Sequence, residues 1–197
     1  MTPVDFWFDF ASTYSYPAVM RIEALAAEHN ITLRWHAFLL GPIFKAQGWQ
    51  DSPFNLFTAK GNYMWRDIER VCARHALPYF KPSRFPQNSV LAARIACWYE
   101  DAQWLSGFVT AVFQSNFVQD KNIADPEVVS QILSDLGLDA EAIIAQAQSP
   151  ESKAKLQVVN QQAVRQGIFG APFFMVGQEP FWGQDNLELA LQTAGQG

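Results

Sequence analysis

The sequence predicts an α/β fold in the order β-α-β, then an all-helical stretch, then β-β-α. Three observations carry this. Val4, Phe6, Phe8 and Phe10 alternate with Asp5, Trp7 and Asp9, the period-two pattern of a strand with one face in a core. From about Thr58 to about Arg165 the spacing of apolar residues is helical instead. Beyond that, Phe173-Phe174-Met175-Val176 and Phe181-Trp182 are short apolar strands around the turn Gly177-Gln178-Glu179.

The first strand runs directly into a helix. Ser12 to Ser15 are helix-capping residue types, and Ala18, Ile22, Leu25 and Ala26 follow helical spacing, with Pro17 tolerable in a first turn. A hydroxyl side chain therefore stands where free backbone N–H groups and the positive end of a helix dipole favour an anion. His29-Asn30 ends this helix. Ile31, Leu33, Trp35 and Ala37 then alternate with Thr32, Arg34 and His36 as a second strand, completing a parallel βαβ unit. Leu40 to Pro53, broken by Gly41, Pro42, Gly48 and Pro53, reads as an irregular ligand-holding loop.

Within the helical stretch, Tyr63, Asp67, Arg70, Val71 and Arg74 lie on a helix ending near His75. Three prolines keep Leu77 to Pro86 extended. Asn88-Ser89 opens a helix carrying Leu91, Ile95 and Trp98, and further helices follow around 104–118, 126–136, 139–147 and 151–166. Gly183-Gln184-Asp185-Asn186 starts a last helix through Leu187, Leu189 and Leu191. The order is that of a thioredoxin-like domain, residues 1–57 and 167–197, interrupted by a helical domain over 58–166.

Composition narrows the function classes. With 197 residues, 49% hydrophobic and 17% charged, the chain can bury a real core. A net charge of −5 without a basic stripe argues against nucleic acid as a partner. Met1-Thr2-Pro3 leads straight into the strand, so no signal peptide is expected, and no apolar run approaches the ~20 residues that span a bilayer. Cys72 and Cys97 form neither a CxxC nor a metal-ligand spacing, they read as buried small hydrophobes, and no metal is expected; a reducing cytoplasm is the simplest setting.

Taken singly, the marked residues are ambiguous. Ser12 reads as a helix cap, with no G-x-S-x-G elbow around it; His29, His36 and His75 fall at helix ends or on a strand face. Pro172 is either a strand-entry proline or a cis proline that presents the backbone before it. Asp185 suits any helix N-terminus, and Lys60 any solvated surface.

Their combination is specific. Phe8-Asp9-Phe10-x-Ser12-x-x-Ser15-Tyr16 is followed by Lys60-x-x-Tyr63-x-x-x-Asp67-x-x-Arg70, then Phe85-Pro86-x-Asn88-Ser89. Gly167-x-Phe169-Gly170-x-Pro172-x-Phe174 and Phe181-Trp182-Gly183-x-Asp185-x-Leu187 complete the set. Over nearly its whole length the chain resembles the 2-hydroxychromene-2-carboxylate isomerase family, close to kappa-class glutathione transferases within the DsbA-like thioredoxin superfamily. The resemblance implies that Ser12 replaces a redox cysteine and faces the sulfur of glutathione. It implies that the backbone at Ala171, before Pro172, pairs with the glutathione backbone. Asp185 then takes the γ-glutamyl ammonium, and Lys60 a carboxylate of glutathione or of a small aromatic carboxylate substrate. Asn88 and Ser89 hold an anionic substrate or a glutathione carboxylate. A homodimer is a further family expectation.

Ser12-Thr13-Tyr14-Ser15 cannot cycle a disulfide, which disfavours thioredoxin-type redox work. Departures from the family pattern are Thr13 in place of a common proline, Asn186 in place of a basic residue, and Asp51 near a common asparagine. Two other readings stand beside the isomerase: a kappa-like transferase conjugating glutathione to electrophiles, and a non-catalytic DsbA-like binding module.

Overall fold

A computed structural model describes residues 1–196; Gly197, which ends the second sequence segment assigned to the sheet domain, lies outside the described residues. Strand β1 (Val4–Phe8) is central, paired in parallel with β2 (Leu33–Ala37) and antiparallel with β3 (Phe173–Val176). Strand β4 (Glu179–Trp182) closes a hairpin on β3, so the sheet order is β2-β1-β3-β4. A parallel pair needs a crossover, here helix α1 (Ser15–Glu28), whereas the antiparallel hairpin needs only Gly177 and Gln178 between its strands. Gly177 has a positive φ of 61°, a conformation glycine adopts without strain.

The phenylalanine face of β1 packs as the alternation predicts, but the strand is not buried on one face alone. Trp7 is 1% exposed and Asp9, just past the strand's end, 4%, because helices cover both sides of the sheet here. Phe6 stacks on Phe174 at 5.2 Å and meets the edge of Trp35 at the same distance, while Phe8 lies near Phe10 and Phe113. These phenylalanines are fully buried, each contributing about 1.5–3 kcal/mol.

The helical segment follows the predicted order: α4 (Thr58–Arg74), α5 (Val90–Trp98), α6 (Leu105–Phe117), α7 (Pro126–Asp135), α8 (Ala140–Ala147) and α9 (Pro150–Arg165). Asp125, Asp139 and Ser149 cap α7, α8 and α9 through their side chains. Helix α5 packs on β2, α6 on α1, and the last helix, α10 (Leu187–Gln196), on β1 and β3. One continuous buried cluster joins the residues of sheet and helices.

Two local expectations are corrected. Residues 40–53 are not wholly irregular: Leu40–Ala46 form helix α2, and Pro53–Leu56 a single turn, α3. Gly41 and Pro42 disguise α2, yet Pro42 sits in the first turn, where no intrahelical N–H is required. Strand β2 begins at Leu33, two residues after the alternation starts, because Asn30 takes a positive φ of 55° in the preceding turn. No helix among the described residues is long and apolar enough to cross a membrane.

Candidate functional site

The site grows from the turn between β1 and α1. The Ser12 N–H donates to the Asp9 carbonyl at 2.9 Å, closing the turn, and Ser12 Oγ accepts the N–H of Ser15, the first residue of α1, at 3.2 Å. The hydroxyl also donates to the Ala171 carbonyl at 3.0 Å, across 159 residues of chain. Ala171-Pro172 is a cis peptide, as is Phe85-Pro86. Ser12 thus caps α1 from two residues before Tyr14, the residue at the cap position, which makes no side-chain cap bond. It also faces the backbone before the cis proline, so the capping role read from the sequence is joined by a contact to Ala171.

Asp185 joins this group through the backbone. The Pro172 carbonyl accepts the N–H of Gly183 at 3.0 Å, and Gly183 leads into the short 3-10 helix Gln184–Asn186. Gly183 has a φ of 95°, and a Cβ there would stand 2.5 Å from Asp185 Oδ1, so only glycine lets that carboxylate fold back over the turn. Asp185 is exposed and forms no ion pair among the described residues. The neighbouring Asn186 is occupied, its amide donating to the Trp182 carbonyl at 2.7 Å.

Lys60 lies in the first turn of α4, exposed, its ammonium 4.6 Å above the centroid of the Phe57 ring. Its helix is tied to the Ser12 turn one step away. Tyr14 donates to Asp67 Oδ2 at 3.0 Å, and Arg70 donates to the other oxygen of Asp67 at 3.1 Å. Burial, followed by the bonded Asp67 carboxylate, pushes the Tyr14 phenol above its ordinary range, so it remains a donor. Gly61 lets α3 approach α4 closely: a Cβ there would meet the Phe54 carbonyl oxygen at 2.2 Å. Phe54 in turn lies 6.2 Å from the Tyr14 ring. Asp51 is engaged locally, accepting from the Ser52 N–H at 2.6 Å and the Asn55 amide at 3.0 Å.

Asn88 and Ser89 start α5 in different ways. Asn88 is exposed, and its Oδ1 accepts the Val90 N–H at 3.0 Å. Ser89 is 4% exposed and its hydroxyl donates to Asp9 Oδ1 at 3.1 Å, so it supports the site from inside rather than facing a ligand. The structure therefore links the Ser12 side chain to Ala171, and Pro172 to Gly183 two residues before Asp185, with Ser89 behind them. Lys60 and Asn88 stand on separate flanking helices.

Sequence reasoning assigned no role to Asp9, Tyr14 or Arg70. For Asp9 a signal existed, since an aspartate two residues before a turn amide is the pattern of an Asx turn. Its Oδ1 accepts the Ala11 N–H at 2.9 Å. The thiols are not reactive centres: burial pushes Cys72 up to about 11 and Cys97 to about 12. Burial lowers the His75 pKa, with Arg21 and Arg74 adding to it. Among the described residues no three His, Cys, Asp or Glu side chains converge as a metal site requires.

A mixed four-stranded sheet, a helix N-terminus at its central strand and a cis proline opposite it define a thioredoxin-like fold, with Ser12 at that helix N-terminus. The chain belongs to the DSBA-like thioredoxin family, whose domain model matches residues 3–194. It is 28% identical to the 2-hydroxychromene-2-carboxylate isomerase of Sphingobium xenophagum, over 94% of each chain. It is also 28% identical to that of Pseudomonas putida, over 98% of this chain and 94% of the relative. Glutathione S-transferase kappa 1 of Caenorhabditis elegans is 22% identical, over 94% of this chain and 88% of the relative. Among solved structures, a 2-hydroxychromene-2-carboxylate isomerase superposes with a TM-score of 0.84 at 26% identity, covering 98% of this chain and 94% of that one. The cytosolic disulfide reductase DsbM of Pseudomonas aeruginosa, solved with GSH, shares the fold at a TM-score of 0.65 and 16% identity, over 97% of this chain and 98% of that one. The resemblance read from the motifs is thereby borne out, in family and in fold.

Proposed function

We propose that this protein is a glutathione-dependent isomerase acting on 2-hydroxychromene-2-carboxylate or a related intermediate of aromatic catabolism. The observation that carries the reading is the Ser12 hydroxyl, held at the N-terminus of α1 and against the Ala171 carbonyl, with no cysteine in the turn. The isomerases among the relatives support the substrate class.

The residues present fit glutathione by the chemistry of their donors. A hydroxyl and the start of a 14-residue helix favour a sulfur anion over a thiol. The hydroxyls of Thr13 and Ser15, one and three residues after Ser12, are buried without hydrogen-bond partners among the described residues. Lys60 and Asp185, exposed and without ion pairs among the described residues, offer one cation and one anion to a ligand carrying carboxylates and an ammonium. Bound glutathione would supply a nucleophilic sulfur that adds reversibly to a conjugated carbon, lets a bond rotate and leaves unchanged.

The chain's own part is donation and orientation. Ser12 Oγ–H would donate to the sulfur and lower its proton affinity. The Ala171 backbone, at the cis proline, pairs with the peptide. Asp185 takes the ammonium, and Lys60 with Asn88 takes carboxylates, while Ser89 steadies the start of α5. Exposed Phe57, Tyr63, Phe169 and Trp182 provide aromatic faces for a flat substrate. The same reading places the protein in the cytoplasm as a homodimer, and a sedimentation measurement tests the dimer.

The test is a calorimetric titration with reduced glutathione followed by an ultraviolet assay of the chromene carboxylate. Saturable binding and turnover without loss of free thiol support the isomerase. The kappa-class relative favours a second reading, conjugation of an electrophile, which consumes glutathione. Absence of both binding and turnover would leave a DsbA-like binding module.

A further inference from the structure

Asp9 is 4% exposed and lies at the end of the central strand. Three donors from three segments meet its carboxylate. The Ala11 N–H reaches Oδ1 at 2.9 Å from the Ser12 turn, and the Ser89 hydroxyl reaches the same oxygen at 3.1 Å from the start of α5. The Leu40 N–H, the first of α2, reaches Oδ2 at 2.8 Å. Asp9 therefore does for α2 from a distance what its own cap residue, Leu39, cannot do. All three partners donate, the arrangement suited to an ionised carboxylate. Burial nonetheless pushes the carboxyl above its ordinary value, and the Leu40, Ala11 and Ser89 bonds pull it back. A buried charge is costly to keep, and near a site that favours an anion its own field is unhelpful. What it supplies is geometry: it fastens the turn carrying Ser12 to the N-termini of two helices at once.

We infer that Asp9 is a positioning residue, whose carboxylate holds the Ser12 hydroxyl in register with the Ala171 carbonyl by clamping Ala11, Leu40 and Ser89 together. The inference rests on the proposed role of Ser12. In Asp9→Asn the amide NH₂ would confront an N–H or hydroxyl donor, so at least one of the three bonds is lost while the volume is kept.

The experiment is a double-mutant cycle of Asp9→Asn with Ser12→Ala, read in turnover, together with amide hydrogen exchange at Ala11, Ser12 and Ser15. Asp9→Asn is expected to lower kcat about tenfold with little change in the KM for glutathione, as a small misplacement of a reacting group does. In the Ser12→Ala background it should change kcat no further, although its effect on Tm persists. A merely structural loss would multiply in both backgrounds, and that result, or a wild-type kcat in Asp9→Asn, overturns the inference. A wild-type kcat in Ser12→Ala would instead remove the proposed role of Ser12. Exchange is read without substrate: at least tenfold faster exchange at Ala11 and Ser12, with α6 and α7 unchanged, supports the clamp, and unchanged exchange overturns it even if no turnover is found. Should Asp9→Asn fail to fold, Ser89→Ala removes one donor only and is expected to move exchange the same way by less.

Discussion

The turn bearing Ser12 and the charged flanks of the site are built on opposite principles. Around Ser12 most polar groups answer one another, the Thr13 and Ser15 hydroxyls excepted: the Ser12 hydroxyl to Ala171 and the Ser15 N–H, the Ser12 amide to Asp9, and Asp9 to three donors. Lys60 has only the face of Phe57, and Asp185 stands exposed beyond Gly183. Chemistry at an atom needs that atom held in place, whereas long-range recognition of a charged ligand tolerates side chains that find it. On the proposed function, the difference would separate what each region contributes to rate and to binding.

The sharpest way to break this comparison is Ser12→Ala. Removing one donor aimed at developing charge should lower kcat on the order of 100-fold, with the glutathione KM nearly constant, measured in steady-state kinetics. Next come Lys60→Ala and Asp185→Ala. Each should raise the glutathione KM about tenfold, the loss of one charge-assisted contact, and leave kcat within a few-fold. A fall in kcat as large as that of Ser12→Ala would merge the two regions into one.

Gly61→Ala sharpens the comparison from the scaffold side. Its Cβ would press on the Phe54 carbonyl at 2.2 Å and part α3 from α4. A destabilisation of about 1–3 kcal/mol is expected in denaturant unfolding, with KM moving more than kcat because Lys60 is the adjacent residue. The smallest effect concerns pH. Burial raises the Asp9 carboxyl in the folded chain, and the groups bonded to it are neutral. A raised folded pKa confers relative stability that is fullest below the unfolded pKa and is withdrawn as pH rises through the folded one. The Tm of the wild type should therefore gain on that of Asp9→Asn as pH falls from about 7 to about 4, and a constant difference would count against a raised Asp9.

Much of this was legible in the sequence where the signal is local. The β1 alternation, the capping hydroxyls after it and the proline before Phe173 each read correctly within a few residues, because strand period, helix entry and backbone presentation are set locally. Helix α2 was hidden by Gly41 and Pro42, and its N-terminus is satisfied by a side chain 31 residues away. Ser89 illustrates the same limit. Its place at a helix start suggested an outward donor, but its partner is 80 residues distant, and only the packing of α5 on the sheet turns it inward.

The bond from Ser12 to Ala171 would make entry of the proposed ligand an exchange of partners rather than a gain of one. The hydroxyl already has a neutral acceptor, so leaving it repays nothing unless the newcomer accepts more strongly. A sulfur anion does, and an uncharged thiol or alcohol does not. If the proposed function holds, the resting site would be its own filter, admitting by charge state before shape is consulted, and a glutathione analogue with hydroxyl in place of thiol should fail to displace the Ala171 carbonyl.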